Sequence, residues 1–212
     1  MQKFCNKDYQ ALRTIQGLQI SPDGRYALYT VQHMNVDRDA YENFLWLLDL
    51  ETGRETQLTG GGRESGAFWL DSRHVVFSAV RGGEIPEKET VFYRIAVDGG
   101  EALEYMRLPI AGARASLLGE DRFLIRADTD LNPESERDQE KWMFFDEYPY
   151  WGDGASYENR HRRALFLWDR IAGELRQLTT PTMQTFMPYC SDDVLADEDG
   201  LCFVGYDYTR DA

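Results

Sequence analysis

Three stretches of the chain repeat one order of polar and apolar positions. A polar turn carrying an arginine gives way to an apolar run: "RYALYTV" from Arg25, "RHVVFSAV" from Arg73 and "RFLIRAD" from Arg122. The arginines stand 48 and 49 residues apart. Short apolar runs of about 4–8 residues bounded by turn-forming residues predict strands. A second series follows. "WLLDLETGRETQLT" (46–59), "YRIAVDGGEALEYM" (93–106) and "FLWDRIAGELRQLT" (166–179) each set a glycine, Gly53, Gly100 or Gly173, between two further strand patterns. Acidic and small residues surround each glycine, as a hairpin turn with positive φ demands. Gln-Leu-Thr closes the first and third copies, at 57–59 and 177–179.

Each unit thus predicts four short strands: one before the "SPDG"-type turn, one after it, one ending at Asp49 or its equivalent, and one running into "QLT". A repeat of this length and strand count predicts a β-propeller blade, because a single blade cannot bury both of its faces and several must stack about an axis. A β-sandwich also has short strands and regular turns, but its strands need not recur as a sequence unit. The predicted fold is all-β, a partial propeller of about three and a half four-stranded blades. A leader is expected at residues 1–16 and blades at about 17–62, 63–109 and 110–182. A half blade is expected at 183–212, starting with "FMPYCSDD" and "GLCFVGYDY" and stopping after two strands. Propellers close with about four to eight complete blades, so the expectation is a piece of a longer chain. Its open sheet edge would offer two copies a means of association.

The third unit exceeds its neighbours by about 25 residues, a length that marks a functional or mobile connection. This insertion, at about 128–162, runs between "RFLIRAD" and "RALFLWD". Its first half, through Gln139, has the composition of a mobile loop. Its second half holds Trp142, Phe144, Phe145, Tyr148, Tyr150, Trp151 and Tyr157, too apolar to stay in water. An aromatic surface with a few charges suits a bound peptide or partner domain, and it equally suits an insertion that only covers the side of a blade. The candidate contact residues are Asp146, Glu147, Tyr148, Tyr150, Trp151, Asn159, Arg160 and Arg162.

Composition narrows the classes further. With 42% hydrophobic residues among 212, a substantial core can form. A formal charge of −14 repels phosphate backbones, so neither nucleic acid nor an anionic membrane is an expected partner. No apolar run approaches the roughly 18 residues of a membrane span, and "MQKFCNKDYQ" lacks a signal-peptide core, so a cytoplasmic location is expected. Cys5, Cys190 and Cys202 are scattered, with no C-x-x-C pair, and read as free thiols. His33, His74 and His161 lie too far apart in sequence for a metal site. "DTDLNP" (128–133) opens like a calcium loop, but Pro133 stands where glycine is needed and Gln139 where the bidentate glutamate belongs. "GASYE" (154–158) lacks the second glycine and the preceding strand of a nucleophile elbow. Gly60–Gly62 lack the strand-to-helix setting of a phosphate loop. "ADEDG" (196–200) reads as the turn of the fourth unit. No catalytic residue, metal site or cofactor is expected within the chain.

"LQISPDGRYALYTV", preceded by "YQALRTIQG", resembles the first propeller blade of the prolyl oligopeptidase family of serine peptidases. "DEYPYWGDGASYENRHRRALFLWD", with Pro149, Trp151 and Gly154 in a P-x-W-x-x-G pattern followed by Arg162, is similar to the acylaminoacyl peptidase branch. "SPDG" is shared by many propellers; the second pattern is more selective. The resemblance implies a seven-bladed propeller, of which this chain is about half. It also implies a C-terminal α/β-hydrolase domain, outside this chain, that carries the Ser-Asp-His triad. Such a propeller covers the active site and restricts entry to short or unfolded peptides, so the chain is expected to gate substrates and to hydrolyse nothing by itself. The competing expectation is a non-catalytic propeller that binds a protein partner.

Overall fold

The structure is a computed structural model that describes residues 6–81, 88–131, 150–152, 156–158, 160–185, 194–196 and 200–207. The chain divides into two units, Met1–Ile110 and Ala111–Ala212. The first unit holds two antiparallel meanders, each with neighbouring strands in chain order. One is built from β1 (Thr14–Ile20), β2 (Tyr26–Asn35), β3 (Ala40–Asp49) and β4 (Glu55–Gln57). The other is built from β5 (Ser65–Trp69), β6 (His74–Ser78), β7 (Thr90–Ala96) and β8 (Leu103–Leu108). The second unit holds a third sheet of β9 (Arg114–Gly119), β10 (Arg122–Asp130), β13 (His161–Asp169) and β14 (Glu174–Gln177), in the same up-and-down order. Between β10 and β13 lie β11 (Tyr150–Gly152) and β12 (Ser156–Glu158), paired with each other. Four short strands follow: β15 (Met183–Gln184) pairs with β18 (Tyr206–Asp207), and β16 (Val194–Ala196) with β17 (Leu201–Phe203). The predicted "ADEDG" turn falls between β16 and β17, with residues 197–199 outside the described residues.

The repeated turns have repeated chemistry. In "SPDG", Ser21 Oγ donates to Asp23 Oδ1 (2.7 Å) and accepts from the Tyr26 N–H (2.9 Å). Gly24 takes a φ of +74°, a left-handed conformation open to glycine at no steric cost. The β3–β4 turn is held by Asp49, whose Oδ1 accepts from the N–H groups of Glu51 (3.0 Å) and Thr52 (2.9 Å). Asp169 does the same for Ile171 (3.0 Å) and Ala172 (2.9 Å) between β13 and β14. The predicted turn glycines Gly53, Gly100 and Gly173 all have positive φ.

The Gln-Leu-Thr repeat has a physical reason as well. The N–H of Leu45 donates to Thr59 Oγ1 (3.0 Å), and the N–H of Leu165 donates to Thr179 Oγ1 (3.2 Å). Leu58 and Leu178 each send their N–H to the carbonyl of that same leucine, at 2.8 Å. The outer strand thus leaves the ladder at the leucine, and a buried threonine hydroxyl supplies the missing acceptor. An unpaired backbone N–H in the interior would cost free energy.

Central strands are buried on both faces, which explains why they read as continuous apolar runs. In the first unit, Leu28, Leu45, Leu47 and Leu58 of the first sheet join Trp69, Val75, Phe77, Val91, Tyr93 and Ile95 of the second in one cluster. Gln19 Nε2 spans the two sheets to the carbonyl of Ala67 (2.8 Å). In the second unit, Phe123, Ile125 and Leu165 are buried at the centre of the third sheet. Neither unit contains an α-helix among the described residues, and no described helix is long and apolar enough to cross a membrane.

Candidate functional site

The insertion leaves the third sheet at the end of β10 and rejoins it at the start of β13. Pairing of these strands continues to the last rung, Asp130 opposite His161, so the ladder takes in Asp128–Asp130 and His161–Arg162. The Leu131 N–H donates to the Arg160 carbonyl (2.9 Å), and Arg160 itself has a φ of +53°. A left-handed non-glycine residue at this point is a strained turn into the strand. Of the sequence candidates, Asp146, Glu147, Tyr148 and Asn159 lie outside the described residues. Tyr150 and Trp151 form two of the rungs of the β11–β12 hairpin, opposite Glu158 and Tyr157. Arg162 is 3% exposed, its backbone opposite Thr129, and its Nη1 donates to the His161 carbonyl (3.1 Å).

Next to this ladder end is a cluster that the sequence reading did not single out. Arg114 on β9 lies directly opposite Arg126 on β10, and Asp128 lies directly opposite Arg163 on β13. Residues two apart on a strand share a face, so all four side chains project to one side of the sheet. Arg163 Nε holds Asp128 Oδ1 at 3.0 Å. The Arg163 backbone is pinned in turn: its carbonyl accepts from Thr185 Oγ1 (2.7 Å) and from the Thr185 N–H (3.1 Å). The four side chains, with Gly112 and Ala127, line an open pocket of about 130 Å³.

The equivalent positions of the other sheets are neutral. Where the third sheet places Arg114 opposite Arg126, the first places Gln16 opposite Thr30 and the second places Ser65 opposite Ser78. Those serines share a hydrogen bond (2.9 Å). Where the third sheet has Asp128 and Arg163, the first has Gln32 and Asn43, joined at 3.0 Å. Like charges directly opposite each other weaken a sheet, so the fold does not call for two guanidiniums here. The arginine-anchored repeat sets Arg126 beside Tyr29 and Phe77, so a charge where sister units carry hydroxyls is seen only once the strand register is known.

A second unpredicted feature lies in the first unit. Glu64 is fully buried, and its Oε1 accepts from the Gly61 N–H (3.1 Å) and from Arg81 Nη2 (3.2 Å). The Arg81 guanidinium sits over Phe77 (5.2 Å) and Tyr93 (5.4 Å). The histidines have local partners: His33 stacks on Phe44 and lies 3.3 Å from Glu42, and His74 lies 2.9 Å from Asp71. Among the described residues no group of His, Cys, Asp and Glu could hold a metal ion.

Successive four-stranded antiparallel meanders, the first and third sharing the same turn and outer-strand chemistry, define an all-β partial propeller. No family model matches the chain. It is 27% identical over 183 residues to a Bacillus subtilis (strain 168) protein described as an uncharacterized peptidase, YuxL, a match covering 82% of this chain and 27% of that protein. The chain therefore spans about a quarter of the length of this curated relative. Among solved structures it is similar to an acylaminoacyl peptidase in complex with Z-Gly-Gly-Phe-chloromethyl ketone, with a TM-score of 0.59 and 14% identity, over 80% of this chain and 25% of that one. It is also similar to Pyrococcus horikoshii acylaminoacyl peptidase in an orthorhombic crystal form, with a TM-score of 0.62 and 14% identity, over 85% of this chain and 28% of that one. At such identity the structural likeness shows the fold. The resemblance to peptidases of the prolyl oligopeptidase family that the sequence motifs carry accords with both comparisons.

Proposed function

We propose that this chain is part of the propeller of a longer, cytoplasmic serine peptidase of the prolyl oligopeptidase family, in its acylaminoacyl branch. In this reading the propeller selects short or unfolded peptides for a hydrolase domain that lies outside these residues and carries the Ser-Asp-His triad. The observation that carries it is the pairing of a peptidase relative over 82% of the chain with a propeller fold shared with acylaminoacyl peptidases. The insertion after β10 supports it: two of the candidate contacts, Arg160 and Arg162, lie at a ladder end that the sheet holds by strand pairing. Association of two copies through open sheet edges belongs to the same reading, and light scattering showing a monomer at high concentration would dispose of it.

The test is a peptidase assay on the full reading frame and on these 212 residues alone, with acetyl-Ala-p-nitroanilide as substrate. Hydrolysis is expected from the full reading frame only. A full reading frame without a G-x-S-x-G sequence between a strand and a helix, or activity from the 212 residues alone, would overturn the proposal.

A further inference from the structure

We infer that the outward face of the first sheet, centred on Ile20, Ala27, Tyr29, Trp46 and Leu48, seats a further four-stranded sheet of the longer polypeptide. The two sheets of the first unit show what such a seat looks like. Leu28, Leu45, Leu47 and Leu58 of the first sheet lie against the second, on Trp69 and the rungs Val75–Ile95 and Phe77–Tyr93. In the first sheet the same register positions hold Ile20 and the rungs Ala27–Leu48 and Tyr29–Trp46. Alternate residues of a strand point to opposite faces, so these side chains project away from the second sheet. Trp69 is 8% exposed and its counterpart Ile20 is 52% exposed. Tyr93 and Ile95 are buried, while their counterparts Trp46 and Leu48 are only half-buried. Ile15 and Leu18, both 65% exposed, extend the apolar surface along β1. An exposed apolar face of this kind marks an interaction surface.

What the second sheet already holds specifies the occupant. The third sheet repeats the four leucines at the same register positions, as Leu124, Leu165, Leu167 and Leu178, so a leucine face recurs among the blades. One polar contact travels with that face. Gln19 reaches from the first sheet to the carbonyl of Ala67 (2.8 Å), the residue after Gly66 in the β5 bulge, where φ is +56°. The β1 bulge has Gly17 at the same place, with a φ of +61°. The Leu18 carbonyl therefore stands where a side-chain amide of the incoming sheet would donate. The match to the curated relative covers 27% of that protein, which leaves length enough for further sheets. A sheet on the same polypeptide meets the seat at a higher effective concentration than a second copy does, and without a second formal charge of −14. That the sheet comes from the same polypeptide rests on the proposed reading of the chain as part of a longer propeller; the seat itself does not.

The test is iodoacetamide labelling of Ile20→Cys, with Cys5, Cys190 and Cys202 replaced by serine, in the full reading frame and in these 212 residues alone. Each rate is taken relative to that of the urea-unfolded protein. The introduced thiol is expected to react at least tenfold more slowly in the full reading frame than in the 212-residue chain, at every protein concentration. Ile20→Asp supplies a second measurement: it should lower the melting temperature of the full reading frame and leave that of the 212-residue chain unchanged. Equal labelling in the two lengths, or an equal effect of Ile20→Asp in both, would overturn the inference. Protection in the 212-residue chain that grows with its concentration would overturn it too, by showing that a second copy takes the seat. A full reading frame that hydrolyses acetyl-Ala-p-nitroanilide but labels as fast as the 212 residues would sink this inference alone. Protection without hydrolysis would sink the peptidase reading alone.

Discussion

Glu64 and Arg81 show how much one residue can depend on another. The carboxylate is fully buried, and its Oε2, like the Arg81 Nε, has no hydrogen-bond partner among the described residues. Removing Arg81 leaves a charge in the interior with only the Gly61 N–H to hold it. Arg81→Ala should destabilise the first unit by on the order of 3 kcal/mol, the low end for breaking a buried pair because Arg81 is itself 29% exposed. Adding Glu64→Met should recover most of that loss in urea unfolding. An additive double variant would contradict the coupling. Asp23 and Asp49 behave in the opposite sense to buried charges. The Ser21 hydroxyl holds Asp23 below the ordinary carboxylate value of 3.8, and the Thr52 N–H does the same for Asp49. A depressed folded-state value means the carboxylate stabilises the fold above the ordinary value and ceases to do so as the pH falls through the folded one. The urea midpoint should therefore fall between pH 6 and pH 3, and Asp49→Asn should show a smaller fall. An equal fall in both would place the acid sensitivity elsewhere.

At the scale of the element, the bulge at the end of the outer strand recurs in the first and third sheets. Thr59→Val keeps shape but removes the acceptor of the Leu45 N–H, and an orphaned buried donor costs about 1–3 kcal/mol. Thr179→Val should cost a similar amount through Leu165, read by the same denaturation midpoint. A neutral effect at both sites would mean that the leucine N–H finds another acceptor. Gly173→Ala isolates backbone strain, since φ is +67° and, among the described residues, nothing lies within 4 Å of an added Cβ. Its expected cost is about 1 kcal/mol, from the left-handed conformation alone. These elements were legible because their residues are local: a glycine, an aspartate and a threonine a few positions apart make the turn and the bulge. The β10–β13 ladder was less legible. Asp128–Asp130 and His161–Arg162 read as ends of a polar insertion, yet they are paired rungs, because a ladder can extend along a hairpin wherever backbone groups meet and does not need apolar side chains.

For the molecule as a whole, charge is the property read most directly. A chain of formal charge −14 should not be retained on heparin at low salt. Retention would contradict that reading of the charge. The propeller class was legible because one blade cannot bury its own faces, so the repeat itself implies stacking. Of the eight candidates that composition proposed, Tyr150, Trp151, Arg160 and Arg162 are among the described residues and four fall outside them. The arginine pocket was missed because each of its members, taken alone, reads as a solvated surface charge.

The sequence by itself determined the meander, its turns and its four strands in each of the first three units, since these depend on residues within one unit; residues 183–207, expected to give two strands, carry four short ones in two pairs. Only the tertiary structure decided that Arg114 faces Arg126, that Asp128 is held by Arg163, and that Glu64 is buried against Arg81. Those pairings join residues separated by 12, 35 and 17 positions, across strands whose register follows from backbone hydrogen bonds and bulges. Side-chain charge leaves no mark on that register, so no pattern along the chain could announce the encounter.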